Sequence, residues 1–274
     1  MKKCLCLVLT VVLLLAVAGC GSQTPVIQMT PEPTATAAPT TTPESAPTEP
    51  PADAPEEISV DALAEAEWDY EIVEGHVEIT GYTGQKTTII IPSELDGLPV
   101  TVVKTTLQND SGKLINLGFG QDITEITIPD GVGEIGERAF SDCYGLKSVY
   151  IPDSVTMIGS SAFSFCAGLE EIRFPEGLTR IESRTCSGCI GLTEINIPDG
   201  VSVVDTKAFE LCSALETVSL PSSLREFGDN VFLGCSNIKT TVFRGNMTEF
   251  SDIYFGEGND VVIMTLDISS LAPA

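Results

Sequence analysis

The sequence predicts a solenoid of short parallel β-strands, one strand in each 23-residue repeat, with loops and short helical turns on the other face. Three observations carry this prediction: a cysteine, a proline and a set of apolar residues all recur with a period of 23 residues. Columns of different residue types that share one period indicate copies of one structural unit, because each copy buries its apolar edge only against its neighbours. The cysteines are Cys143, Cys166, Cys189, Cys212 and Cys235, and the prolines are Pro129, Pro152, Pro175, Pro198 and Pro221.

One complete unit is visible in residues 146–168, which read L-x-x-V-x-I-P-x-x-V-x-x-I-x-x-x-A-F-x-x-C-x-x. The V-x-I alternation indicates a short strand with two inward side chains, and the proline ends it because proline has no N–H to donate to a ladder. Asp-Gly or Asp-Ser after the proline favours a turn, and the A-F-x-x-C spacing suits a short helical turn. The apolar columns are Leu146, Leu169, Leu192 and Leu215; Val149, Ile172, Ile195 and Val218; Ile151, Phe174, Ile197 and Leu220; Ile135, Ile158, Ile181, Val204 and Phe227; and Phe140, Phe163, Phe209 and Phe232, with Cys186 in the third place of that last column.

Residues 1–19 have the character of an export signal. Lys2 and Lys3 precede an apolar run that is too short to span a membrane and ends in small residues. The ending Val17-Ala18-Gly19-Cys20 resembles the bacterial lipoprotein signal, which implies cleavage before Cys20 and a lipid thioether on its sulfur. The alternative is an ordinary signal peptide in which the cysteine is incidental.

Residues 20–57 differ in composition from the rest of the chain. They contain no aromatic residue and hold nine of the 17 prolines, with threonine and alanine filling most of the other positions. Such a segment buries too little apolar surface to offset its ordering entropy, and proline favours an extended backbone. We expect a disordered stalk that lifts the following domain off a membrane. Composition leaves open whether its threonines carry O-linked glycans.

Charge and histidine content exclude several function classes. The chain of 274 residues has 39 acidic and 14 basic side chains, so its formal charge is −25 and it repels nucleic-acid backbones. Its single histidine, His76, excludes metal sites that need two histidines. Since no nucleophile elbow, phosphate loop or paired-carboxylate motif is present, we expect no enzyme, no catalytic residue, no cofactor and no metal.

The N-terminal part of the domain, residues 58–122, is predicted to be a cap followed by an irregular first repeat. Ile89-x-Ile91-Pro92 reproduces the strand and proline of the unit. The 37 residues from Pro92 to Pro129 therefore comprise one repeat and a 14-residue insertion. An atypical terminal unit is expected, because the end of a stack has to cover an exposed core.

Regular repeats fill residues 123–243, and residues 244–274 are predicted to be a degenerate last repeat with a tail. A shift of 23 residues from Phe227 and Phe232 reaches Phe250 and Phe255. The same shift places Gly258 in the cysteine column.

The combination of I-P, A-F and C-x-x-L elements resembles the BspA-like, or treponemal-type, leucine-rich repeats of bacterial surface proteins. The resemblance covers about residues 70–266, and the segment from Gly75 onward is similar to an opening segment common in that family. It implies a leucine-rich repeat solenoid, a cell-surface location and a binding role rather than catalysis. Three positions depart from the pattern: Cys186 replaces Phe, and Thr185 and Val231 replace Ala.

The cysteines admit two interpretations. Cys186-Ser187-Gly188-Cys189 is a C-x-x-C sequence, but both cysteines belong to core columns, which favours buried small apolar residues over redox chemistry. Strands stacked about 4.7–4.9 Å apart also bring successive rungs within disulfide reach. We favour free thiols, and the disulfide alternative stays open.

Candidate binding residues lie on the predicted strands, where side chains that flank the inward positions point outward. These side chains line the concave ribbon of a solenoid, which is the usual binding surface of repeat proteins. Tyr150 and Arg173 are the strongest candidates because interface anchors are enriched in Tyr and Arg. The predicted set is Glu125, Thr127, Ser148, Tyr150, Glu171, Arg173, Glu194, Asn196, Thr217 and Ser219.

The leading hypothesis is therefore a lipid-anchored adhesion protein on a bacterial surface, held to the membrane through Cys20. Its solenoid would bind an extracellular protein or glycan, and no nucleic acid. The alternative is a passive spacer of the cell envelope without a specific ligand, and a cell-surface enzyme ranks third.

Overall fold

The computed structural model describes residues 67–105 and 119–267, together with Ser269 and Leu271. The leader, Cys20, the stalk, residues 58–66 of the cap and residues 106–118 lie outside the described residues. The strands are β1 (Trp68–Val73), β2 (His76–Tyr82), β3 (Thr88–Ile90), β4 (Glu94–Leu95), β5 (Leu98–Val103), β6 (Glu125–Thr127), β7 (Glu134–Ile135), β8 (Ser148–Tyr150), β9 (Met157–Ile158), β10 (Arg180–Ile181), β11 (Glu194–Asn196), β12 (Val203–Val204), β13 (Thr217–Pro221), β14 (Glu226–Phe227), β15 (Thr240–Arg244) and β16 (Tyr254–Phe255); the helices are α1 (Met247–Ser251) and α2 (Asp260–Met264).

Every coil of the chain has three sides, and each side stacks on its counterpart in the next coil. The first side carries the longer strands, paired β3-β6-β8 and β11-β13-β15. The second side carries two-residue strands, apart from the six-residue β5, and they are paired β5-β7-β9 and β10-β12-β14-β16. In the regular region the parallel pairs are offset by 23 residues, as in Glu125 with Ser148 and Glu194 with Thr217. The predicted parallel β-solenoid with one coil per repeat is confirmed.

The third side consists of tight turns rather than helices. Ser141 N–H donates to Arg138 O and Cys143 N–H donates to Phe140 O, so that each turn closes over three residues. Two residues per coil have a left-handed backbone conformation and separate these turns. As a result, the N–H groups between them point to the next coil and donate hydrogen bonds to it. One left-handed column is Arg138, Ser161, Arg184, Lys207 and Asn230, and the other is Asp142, Phe165, Gly188, Leu211 and Gly234.

These redirected N–H groups form a third ladder. In the coil that begins near Gly136, the N–H groups of Arg138, Phe140 and Asp142 donate to carbonyls of the following coil at 3.0, 2.8 and 2.8 Å. Unlike the strand ladders, its donors all lie on the N-terminal coil of each pair. It ends at the last coil, where Asn230 N–H donates to Glu257 O and Val231 N–H donates to the buried side-chain oxygen of Asn259.

The cysteine column lies beneath this third side, and all its members are buried, free thiols. Each thiol donates to the carbonyl of the phenylalanine column in the preceding coil. Cys166 Sγ lies 3.2 Å from Phe140 O, and Cys189 Sγ lies 3.1 Å from Phe163 O. The cysteine thiols therefore supply hydrogen-bond donors to backbone carbonyls that are buried in the core.

A row of aromatic rings runs along the core. Trp68 on β1 packs on Tyr82 at 4.8 Å and on Phe119 at 6.1 Å, which covers the first rung with aromatic rings. Further along, Phe140 stacks on Phe163 at 5.3 Å between ring centroids. Strand β1 also pairs antiparallel with β2 and so occupies the edge of that sheet.

The row is interrupted at Cys186, where a second departure from the repeat fills the space. Phe174 replaces the Ile or Leu found in its column, and its ring packs edge-on against Phe209 at 6.2 Å. Phe209 then stacks on Phe232 at 5.5 Å. We interpret Phe174 as the ring that replaces the one missing at Cys186, within the same coil.

The strand ladders are also interrupted at this coil, which the sequence did not predict. The pattern predicts a strand at residues 171–173, but no strand forms there and β8 is not linked through it to β11. On the second side, β9 and β10 likewise do not pair with each other. The inward and outward alternation survives, since Ile172 is buried while Glu171 and Arg173 are exposed.

The two terminal coils differ in how well their register was predicted. The offset of 37 residues at the first coil is confirmed, because Ile89 on β3 pairs with Ile126 on β6. The predicted register of the last coil is wrong: Phe227 pairs with Phe255, 28 residues further on. Helix α1, capped by Asn246, falls within this longer coil and accounts for the shift. Gly258 consequently falls in the left-handed column, with φ of +73°, and not in the cysteine column.

We expect Phe174 and Cys186 to be energetically coupled. Phe174→Ile should lower the free energy of unfolding by about 1–2 kcal/mol and Cys186→Phe by about 1–3 kcal/mol, whereas the double variant should lose less than the sum by at least about 0.5 kcal/mol. Denaturant unfolding of the four proteins measures this coupling. Phe174→Ile combined with Ile126→Val, two coils away, is the control and should be additive. Additivity in the Phe174 and Cys186 pair would contradict the compensation.

Candidate binding surface

The outward face of the first side, here called the first ribbon, consists of β3, β6, β8, residues 171–173, β11, β13 and β15. It forms a shallow depression of about 990 Å³. Alternating side chains on short strands produce this surface, because every inward residue fixes its two neighbours to the outside. Eight of the ten predicted residues line the depression: Glu125, Thr127, Ser148, Tyr150, Glu171, Arg173, Glu194 and Asn196.

The other two predicted residues lie further along the first ribbon. Thr217 and Ser219 are half-buried on β13. Ser219 lines a second, smaller hollow of about 370 Å³ together with Asn196 and Asp199. The predicted set is therefore continuous, but only its N-terminal eight members surround one depression.

The depression is acidic. Glu125, Glu171 and Glu194 contribute carboxylates from three coils, and Glu170 adds a fourth at its edge. The cations on its lining are Lys147 and Arg173.

Tyr150 and Arg173 differ in the contacts that their side chains make with the rest of the protein. The Tyr150 ring is 56% exposed, and among the described residues its hydroxyl makes no hydrogen bond. The Arg173 guanidinium contacts both carboxylate oxygens of Asp153, at 3.1 and 3.3 Å. Because both partners are about 60% exposed, this pair contributes little stability and leaves the guanidinium accessible to a ligand.

Arg244 is the residue of this surface that sequence analysis missed. It occupies the proline column and pairs with Pro221, so β15, like β13, reaches a position before which β6, β8 and β11 have ended. Its guanidinium reaches back over two coils, donating to the Asn196 side chain, to Ser219 Oγ and to the carboxylate of Asp199, the last at 2.9 Å. Period-two alternation along 240–244 would have found it, since Thr240, Val242 and Arg244 share the outward face.

Sequence analysis also missed residues that immediately precede the strands. Lys147, Glu170 and Thr193 occupy one column and line the edge of the depression. Their common position in the repeat was the available signal.

These repeats match a known family. The family model described as "BspA type Leucine rich repeat region" matches residues 119–239 in six copies. The repeat region belongs to the BspA-type leucine-rich repeats. No curated protein matches the chain.

The chain is also similar to solved structures. The chain is 28% identical to the T. pallidum leucine-rich repeat protein TpLRR over 74% of this chain and 89% of that chain, with a TM-score of 0.63. It is 17% identical to a leucine-rich cell surface protein of Faecalibacterium prausnitzii over 74% and 98% of the two chains, with a TM-score of 0.38. For the pneumococcal vaccine antigen PcpA, the identity is 20% over 64% and 47% of the two chains, with a TM-score of 0.49.

Side chains with catalytic or metal-binding chemistry are dispersed in this BspA-type solenoid. His76 Nε2 lies 3.3 Å from Glu78 Oε1, and a hydrogen bond from Lys104 is the main cause that lowers the Glu78 pKa. His76 and Glu78 on β2 and Lys104 after β5 thus form one polar network. Among the described residues, no group of three or more His, Cys, Asp or Glu side chains is arranged to hold a metal ion. In the same part of the chain, no helix is long and apolar enough to cross a membrane.

Burial and hydrogen bonds raise the pKa of most buried cysteines in the BspA-type repeats, whereas at Cys189 hydrogen bonds from Cys166 and Cys186 outweigh burial and lower the pKa. Burial raises the pKa of the Cys143 thiol to about 12. A hydrogen bond with Cys189, together with burial, raises the pKa of Cys166 well above its ordinary value. Burial also raises the pKa of Cys186. The thiols of the column also donate to backbone carbonyls in the core, and their burial limits the access of reagents.

We expect the six buried thiols to be unreactive in the folded protein. Burial excludes the reagent from all six thiols, and at a pH of about 8 the Cys143 thiol, with a pKa of about 12, is ionised in only about one molecule in ten thousand. A chain that begins at residue 58 contains only these six cysteines. Ellman's reagent should therefore label none within minutes and all six after unfolding in denaturant. If fewer than six thiols react after unfolding without reductant, the missing ones form disulfides. Rapid labelling of the native protein would contradict the burial of these thiols.

Proposed function

We propose that this chain is a lipid-anchored bacterial surface protein whose first ribbon binds a protein or glycan partner. The observation that carries the proposal is the continuous depression along the first ribbon, which brings outward side chains from four coils to one surface. The BspA-type repeats and the similarity to TpLRR support an interaction or adhesion module at the cell surface. Repeat solenoids generally bind through extended surfaces of this kind.

The shape of the depression favours a large partner over a small metabolite. It is open and shallow, and its floor is the strand ladder itself. A ligand enclosed on most sides needs a deep, mainly apolar pocket, which the first ribbon does not provide. Tyr150 supplies a rigid exposed ring and Arg173 an accessible guanidinium, two residue types that are enriched among interface anchors.

The alternative is a passive envelope spacer. Its supporting observation is that most outward side chains of the first ribbon are short polar or acidic groups, as expected of solvated strands. The exposed Tyr150 ring on the lining of the depression favours binding, because tyrosine is enriched among interface anchors.

A Tyr150→Ala, Arg173→Glu variant should lose binding to extracellular partners. Residues 58–274, immobilised and screened against extracellular-matrix proteins, glycans and whole cells, should show saturable retention that this variant reduces at least tenfold, because anchor residues dominate interface energies. The control is Met157→Ala, Arg225→Glu, which removes an exposed apolar group and reverses a charge away from the depression. Equal loss in both variants would move the site elsewhere, and no retention above a folded acidic control protein would favour the spacer.

The sequence around Cys20 supports the membrane anchor. A lipidated cysteine followed by a proline-rich stalk would hold the solenoid away from the bilayer, with the first ribbon available to large partners. Several acyl chains on one residue give firmer anchoring than one.

We expect Cys20→Ser to release the protein from the membrane fraction. The wild-type chain expressed in a bacterial host should partition into the detergent phase of a Triton X-114 extract and incorporate labelled fatty acid, because its mature N-terminus carries the lipid. The variant should do neither. Cys6→Ser, a change within the apolar part of the leader, is the matched control. A Cys20→Ser protein that still incorporated fatty acid would exclude this anchor.

A further inference from the structure

The basic side chains of this acidic protein are unevenly distributed. The left-handed column of the third side carries Arg138, Arg184 and Lys207 in four successive coils, with Ser161 in the remaining place. The depression on the first ribbon has the opposite character, with four glutamates on its lining. Beyond about 8 Å at physiological ionic strength, exposed charges are largely screened, so the local groups decide which ions approach each side.

Two of these cations border a hollow of about 320 Å³ on the third side, here called the third-side hollow. Arg138 and Arg184 lie on either side of Ser161, two coils apart, which corresponds to about 9–10 Å between their backbone positions. The ring of Phe165, 47% exposed, forms one wall. The volume is at the lower end of the range of small-ligand sites and matches one sugar ring with its substituents.

The two guanidiniums have few competing partners. The nearest carboxylate to Arg138 in an ion pair is that of Glu137, at 3.9 Å, which is too long for a hydrogen bond. Among the described residues, the Arg184 side chain makes no hydrogen bond or ion pair. Lys207, one coil further, is held by Glu210 at 3.0 Å.

The other lining residues of the third-side hollow are polar, and most of them make hydrogen bonds within the protein. Ser141 Oγ and Ser164 Oγ lie 3.0 Å apart and share a hydrogen bond. The Asp142 carboxylate, which also borders the hollow, accepts from the hydroxyls of Ser141 and Tyr144, each at 3.0 Å. Its charge opposes an anion, so the site depends on both arginines and not on either one alone.

We propose that the third-side hollow binds an anionic sugar unit, a pyranose that carries a carboxylate or a sulfate group. Guanidinium groups pair with such oxyanions through paired hydrogen bonds, and the Phe165 ring offers an apolar face to the sugar ring. Ser161 lies between the two arginines and supplies a hydroxyl for the sugar's own hydroxyl groups. Since Lys207 extends the basic column by one coil, a polysaccharide chain that runs along the solenoid would meet a third cation.

This site is separate from the first ribbon and uses none of its residues. The proposal therefore does not depend on whether the first ribbon binds a partner. If both sites operate, an acidic polysaccharide and a second partner would occupy different sides of the same coils.

The test is calorimetric titration of residues 21–274 with three oligosaccharides of equal length. One is heparin-derived and carries sulfate, one is hyaluronan-derived and carries only carboxylate, and one is the neutral chitin oligomer. The test variant is Arg138→Gln, Arg184→Gln. The control is Arg180→Gln, Arg225→Gln, which removes the same charge from exposed positions outside both the first ribbon and the third-side hollow. Phe165→Asn removes the ring while keeping a residue that tolerates the left-handed backbone.

We expect at least one anionic oligosaccharide to bind, the neutral one not to bind, and the arginine variant to weaken binding at least about tenfold while the control changes it less than about twofold. Phe165→Asn should weaken binding by a smaller factor, and higher salt should weaken it in the wild type. Preference between the two anionic probes distinguishes sulfate from carboxylate as the recognised group. Absence of binding by both anionic probes overturns the proposal, as does an equal loss in the control. Circular dichroism and thermal unfolding verify that each variant is folded.

Discussion

Backbone hydrogen bonds between successive coils are the constraint on which this structure depends, and the third ladder continues even where the two strand ladders are interrupted. They require every coil to return to the same position after the same number of residues, and 23 is the number that the regular region uses. Inward apolar side chains, the cysteine thiols and the aromatic row all follow from this repetition. A coil that departs from the period needs a compensating change, as helix α1 provides in the last coil.

Part of this organisation follows directly from the residue pattern and part does not. The strands and their inward side chains were predicted because apolar alternation reports burial directly, as with Val149 and Ile151. The left-handed positions were not, because residues as different as Arg138, Phe165 and Asn230 occupy them and no residue type marks the column. Register in the last coil failed because Phe250 and Phe255 suit either spacing, and only packing selects Phe255 as the partner of Phe227.

The candidate surface shows the same division. Alternation was enough to place Glu125, Tyr150 and Asn196 around one depression, since it determines which face a strand residue occupies. It gave no information on which outward side chains contact one another. The contacts of Arg244 join residues up to 48 positions apart, and they depend on a strand that reaches the proline position of the repeat.

The direction of the third ladder has a consequence for how such proteins change in length. Every internal coil offers donors to the coil after it and acceptors to the coil before it, while the opening hairpin and the Asn259 cap close the two ends. Duplicating one 23-residue segment would thus leave both closures intact and add one further rung to each side. Gene duplication within the array can lengthen the exposed surfaces stepwise without any change to the ends, whereas an insertion of another size has to be absorbed in a loop.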